Sequence, residues 1–121
     1  MGKILGLDVS TKTIGVALFD ENAQLKILKN VTPKPKPVPK DKLEVLFRKA
    51  HIFEDFLKEY VAYDIDTVVI EEPLLSSNNK YTVGTLLRFN GMVAKACYDI
   101  LGVVPEFISS YDARKYAFPE L

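Results

Sequence analysis

The sequence of 121 residues predicts an α/β domain in which a mixed sheet is flanked by helices. Three observations carry that prediction. Three short apolar runs joined by polar turns come first, "ILGLDV", "TIGVALF" and "LKILKNV". Two longer segments then repeat apolar residues at spacings of three and four, which places them on one face of a helix. Each of these is followed by a short β-branched run, so only the later strands have the helical crossover that parallel pairing needs. The expected element order is β-β-β-α-β-α-β, in a sheet of five strands.

Ile4 to Val9 and Thr13 to Phe19 are separated by "STK" and read as a hairpin. After the turn signal "DENAQ", Leu25 to Val31 alternates apolar and polar positions, as a partly exposed antiparallel strand does. Between Thr32 and Lys42 the segment "TPKPKPVPKDK" carries four prolines. Proline lacks a backbone donor and fixes its own dihedral, so neither a helix nor a central strand continues there, and a stiff solvated connector is expected. The same basic, proline-rich composition is also that of a peptide ligand for another domain. From Asp41 onward, Leu43, Leu46, Phe47, Ala50, Phe53, Phe56, Leu57 and Tyr60 share a helical face, and His51 falls between them as an exposed residue. Thr67 to Ile70 is a strand ended by Glu71, Glu72 and Pro73. A polar loop "LLSSNNKYTVG" leads to a second helix, "TLLRFNGMVAKACYDIL", with Leu86, Phe89, Val93, Ala96, Cys97 and Ile100 on its apolar face and Gly102 as its stop. "VVPEFISS" reads as a last strand, and "YDARKYAF" opens another helix.

At this length, with 48% hydrophobic residues, one core and one domain are expected. Lys and Arg together number 16, as do Asp and Glu, so no global field draws the chain to a polyanion and any nucleic-acid surface has to be local. No apolar run approaches the roughly 18 residues of a membrane helix, and the start lacks a signal peptide, so a soluble, cytoplasmic protein is expected. Cys97 is the lone cysteine, which excludes an internal disulfide and a site of paired thiolates and leaves a small core thiol.

Two places carry chemistry. Asp8 stands inside an apolar strand, where burial without a partner would cost several kcal/mol. A basic partner, donors from the turn "VSTKT", or a divalent ion shared with another acid would compensate; a plain turn cap is the non-functional alternative. Glu71 and Glu72 repeat the pattern at the end of a second apolar strand, and the carboxylates meet if the two strands are neighbours. Paired strand-borne carboxylates suit hard, oxygen-seeking cations such as Mg²⁺ and Mn²⁺, two of which can serve in-line phosphodiester displacement. Strand alternation alone does not choose between Glu71 and Glu72, whose side chains point to opposite faces.

The blocks "ILGLDVSTKTIGVALFD", "TVVIEEP" and "NNKYTVGTLLRFNGMVAKACYDILGVVPEFISSYDARK" resemble, in order and from about Lys3 to Lys115, the RuvC-type Holliday junction resolvases of the ribonuclease H-like superfamily. The resemblance implies a ribonuclease H-like fold and a Mg²⁺-dependent endonuclease that resolves branched DNA as a homodimer. It matches Asp8 to the first-strand acid and Glu71, not Glu72, to the second, as catalytic and metal-binding residues. It also implies a DNA contact from Lys115; Lys12, Asn79 and Lys80, on loops near the acids, are candidate phosphate contacts by position, with ordinary solvated residues as the alternative reading. Where such families carry an aromatic residue after the second acid, this chain has Leu74 and Leu75, so base stacking is not expected there. The family completes its site from a C-terminal helix, and the sequence stops at Leu121 before one; Asp112 and Glu120 do not match its acidic positions. The expectation is therefore a single domain, residues 1–121, that lacks this helix and holds the first half of the site.

Two other readings compete. The stretch "GLDVSTKTIGVALFD" also resembles the first phosphate motif of actin-like ATPases and sugar kinases, although a two-lobed nucleotide cleft needs more chain and no GxxxxGK[ST] loop is present. A noncatalytic nucleic-acid-binding domain is the third, compatible with zero net charge and marked by salt-dependent binding without cleavage.

Overall fold

The computed structural model describes residues 2–72 and 80–109. Five strands and two helices follow in chain order: β1 (Lys3–Val9), β2 (Ile14–Phe19), β3 (Leu25–Val31), α1 (Lys42–Lys58), β4 (Ile65–Glu71), α2 (Lys80–Leu101) and β5 (Glu106–Ile108), with a 3₁₀ turn at Val61–Tyr63 before β4. The sheet order is β3-β2-β1-β4-β5. β2 pairs antiparallel with both β1 and β3, whereas β4 runs parallel to β1 and β5 parallel to β4. Short turns can only reverse a chain, and the two helices supply the returns that the parallel pairs need. The helix expected at "YDARKYAF" lies outside the described residues.

Alternation sorts the faces of the sheet. Leu5, Leu7 and Val9 of β1, Ile14, Val16 and Leu18 of β2, and Val68 and Ile70 of β4 are buried in one cluster with Leu46, Ala50, Phe53 and Leu57 of α1 and Phe89, Val93, Ala96 and Cys97 of α2. Both helices therefore cover the same face. The intervening residues, Ile4, Gly6 and Asp8 among them, point to the other.

Local chemistry sets the helix ends. Asp41 caps α1, its Oδ1 accepting from the backbone N–H of Leu43 at 2.9 Å and of Glu44 at 3.0 Å. Gly102 ends α2 at φ +71°, a left-handed conformation that a Cβ disfavours, and its N–H donates to the Tyr98 carbonyl at 3.0 Å.

Three expectations need correction. Leu43 and Phe47, assigned to the core face of α1, are 45% and 53% exposed. They occupy the stripe next to the one that meets the sheet, and Phe47 lines a groove between the two helices. α2 begins at Lys80, five residues before Thr85, because Gly84 reads as a loop residue yet costs only about 1 kcal/mol inside a helix held by its packed face. Lys80 is thus at a helix start and not on a loop. Asn90, unforeseen, is 2% exposed within the core, with its Nδ2 donating to the Leu86 carbonyl at 2.8 Å.

Candidate metal and nucleic-acid site

The register places the acids. β1 and β4 pair Leu5 with Val68, Gly6 with Val69 and Leu7 with Ile70. Asp8 and Glu71 are the next residues along β1 and β4, strands of a kind that lie about 4.8 Å apart when paired. Leu7 and Ile70 are both core residues, so their successors both point away from the helices. Glu72 falls on the other parity, past the strand end, with its N–H donating to the Ile108 carbonyl at 2.6 Å.

Asp8 is exposed and Glu71 half-buried, which corrects the premise that the Asp8 carboxylate is buried in carbon. The strand is apolar because its other face makes the core; the acid stands on the open face and bears no large desolvation cost. The turn does not compensate it either. Ser10 Oγ donates to the Thr13 carbonyl at 2.9 Å and accepts from the Thr13 N–H at 3.0 Å, so these groups satisfy one another. Among the described residues neither carboxylate has a hydrogen-bond donor or a cationic side chain as partner. Two like charges side by side without a counter-charge repel, and a cation held between them relieves that repulsion.

The same row continues across the sheet. Asp8 pairs with Gly15, and Gly15 with Asn30 of β3. A Cβ at Gly15 would lie 3.6 Å from the Asp8 Cβ and 3.7 Å from the Asn30 Oδ1, so the missing side chain keeps open the space between a carboxylate and an amide. Gly6 and Ala17 floor the next row. Sequence reasoning missed Asn30, whose only signal is the pairing register of an edge strand. No third His, Cys, Asp or Glu joins the acids in one cluster among the described residues.

Lys12 is exposed on the turn that follows Asp8. The carbonyl of its neighbour Thr11 accepts from Lys49 Nζ of α1 at 2.7 Å, which ties the turn to the helix. Lys80 opens α2 with its side chain outside the described set, and Asn79 and Lys115 lie outside the described residues. A groove of about 550 Å³, lined by Phe47, Ala50, His51, Glu54, Arg88 and Met92 among others, lies between α1 and α2, in the helical layer and away from the acids. His51 there is exposed, 3.7 Å from both Glu54 and Asp55.

Neither a family model nor a curated protein matches the sequence. Solved structures do. The chain superposes on Thermus thermophilus RuvC, solved in complex with Holliday junction substrate, with TM-score 0.73 and 14% identity over 95% of this chain and 69% of that one. The fold is ribonuclease H-like, as in RuvC. Yeast mitochondrial Holliday junction resolvase Ydc2 matches with TM-score 0.58 and 11% identity, over 98% of this chain and 59% of its own. The RuvC-like core is also shared with a chain of the PilM–PilN type IV pilus biogenesis complex, at TM-score 0.58, 12% identity, and coverage of 93% and 37%. The architecture thus hosts several activities, and the residues of the site have to choose among them. No helix among the described residues is long and apolar enough to cross a membrane.

Proposed function

We propose that this chain is the ribonuclease H-like domain of a Mg²⁺-dependent endonuclease that cuts branched DNA, Holliday junctions in particular, by phosphodiester hydrolysis. One observation supports the reading: the parallel pairing of β1 with β4 runs to Leu7 and Ile70, so Asp8 and Glu71 each follow a paired core residue, and neither has a protein counter-charge among the described residues. Their all-oxygen donor set, open to solvent, fits Mg²⁺ or Mn²⁺. When bound there, such ions supply an activated water and charge stabilisation for the leaving oxygen. Asp8 and Glu71 fix the position of that charge on rigid strand ends. Gly15 and Gly6 leave the adjoining floor low enough for a sugar–phosphate backbone to approach. Asn30 presents an amide on the same row, and Lys12 offers a cation to a flanking phosphate; Asn79, Lys80 and Lys115 complete the proposed DNA contacts. Symmetric incision of a four-way junction needs two such sites, which a homodimer provides.

The test compares Asp8→Asn, Glu71→Gln and Glu72→Gln. In a full-length version that carries the C-terminal helix, the first two should lower Mg²⁺-dependent cleavage of a four-way junction by at least ~10²-fold and abolish Mn²⁺ binding measured by calorimetry, while junction binding in EDTA is retained. Glu72→Gln should behave as wild type. Full cleavage by Asp8→Asn would remove that residue from the mechanism.

A further inference from the structure

The proline-rich segment between β3 and α1 has a specific burial pattern. Pro33 and Pro35 are buried, while Lys34, Lys36 and Lys40 are exposed. The sequence "PKPK" therefore behaves like a strand with two faces, prolines packed inward and ammonium groups outward, on a backbone that proline keeps extended. At a rise of about 3.1–3.4 Å per residue, Lys34 and Lys36 stand roughly 6–7 Å apart on one side.

The segment leaves the sheet at the end that carries the acids. Val31 pairs with Ile14, Ile14 with Val9, and Val9 follows Asp8. At this same end Lys12 is exposed on the β1–β2 turn. Charge pairing divides the cations accordingly. Lys3, Lys26, Arg48, Lys58 and Lys95 each face a carboxylate within 4.0 Å. Lys12, Lys34, Lys36 and Lys40 face none among the described residues, nor do Lys29 of β3, Lys49 of α1 and Arg88 of α2. Lys12, Lys34, Lys36 and Lys49, which donates to Thr11 of the same turn, are the members of this group that lie at the end of the sheet carrying the acids.

We infer that Lys34 and Lys36, held out by the buried Pro33 and Pro35, together with Lys40 beyond the bend at Lys36 and Pro37, form a phosphate-binding ribbon that grips one nucleic-acid arm as it leaves the acidic site. This rests on the nuclease reading above and extends it to a surface outside the row of acids. Lysines on a stiff, packed segment give up less backbone freedom on meeting a polyanion than lysines on a mobile tail. The contact is to phosphates and carries no base readout. The competing use, as a polyproline ligand for another domain, requires the proline rings to enter an aromatic groove, and two of the four are already buried in this protein.

The experiment measures binding of a labelled four-way DNA junction in EDTA across a salt series. It compares the wild type with Lys34→Gln/Lys36→Gln/Lys40→Gln, its all-Arg counterpart, and Lys58→Gln as a control at the far end of α1. The triple Gln variant should lower the slope of log K against log salt by ~2–3 and weaken binding at least ~10-fold near physiological salt. The Arg variant and Lys58→Gln should retain wild-type slopes, and thermal melts should coincide. A triple Gln variant that binds like wild type overturns the ribbon and leaves the nuclease reading standing. An equal loss with Lys58→Gln overturns it as a general charge effect. A wild type that binds no DNA overturns both.

Discussion

At the scale of single residues, burial decides which reactive groups are available. Burial pushes the Cys97 thiol up to about 12, and the side chain is 0% exposed among the α2 core residues. Its alkylation at about pH 8 should be roughly a thousandfold slower in the native protein than in urea, as timed by mass spectrometry, because both thiolate content and access fall. The sequence pointed to this outcome through the apolar run around Cys97. Asp8 is the instructive contrast. Its apolar neighbours suggested a buried charge, but a strand displays two faces, and hydrophobicity summed along it does not say which face a given residue takes. The choice between Glu71 and Glu72 shows the same limit. Local alternation leaves it open, and only the ladder that joins β4 to β1 orders the side chains across strands.

Elements with strong local signals were legible: both helices, the first hairpin, the proline break and the glycine stop all follow from short-range chemistry. The β2–β3 turn shows how such a signal becomes energy. Asp20 Oδ1 accepts from the backbone N–H of Asn22 at 2.9 Å and of Gln24 at 3.0 Å. The Gln24 bond foremost, with that of Asn22 and the nearby Lys26, holds the Asp20 carboxyl below the usual carboxylate range. A carboxyl depressed in the folded state adds stability that is present above the unfolded pKa and vanishes as pH falls through the folded value. Asp20→Asn should therefore flatten the acid limb of the stability profile below about pH 4, as read by urea unfolding. What local reasoning misjudged were edges and flanks. Leu43 and Phe47 satisfy the helical period but sit one stripe round from the core. The start of α2 was hidden by Gly84, whose low propensity is outweighed by the packing of the turns that follow.

For the molecule as a whole, one apolar layer between the sheet and two helices supports everything else. Phe53 is 0% exposed at its centre, where α1 meets the strands. Phe53→Ala should cost about 3–5 kcal/mol, a large share of the roughly 5–15 kcal/mol available to a domain, measured by denaturant titration. The order β3-β2-β1-β4-β5 was not written in any one segment, yet it alone puts β4 next to β1, with Glu71 and Asp8 near the ends of adjacent strands. Hairpins and helical crossovers narrowed the choices; the placement of β4 against β1 is a long-range fact.

The outer position of β3 has an effect on how copies of the protein treat one another. A border strand with unused backbone groups is a template on which another strand can grow into a filament, and Leu25 and Leu28, both well exposed, would favour the stacking. Lys26 and Lys29 interrupt that run with charge, and the prolines that begin at Pro33 end it by withholding N–H groups. The lysines and prolines of this border thereby keep concentrated protein from stitching itself together.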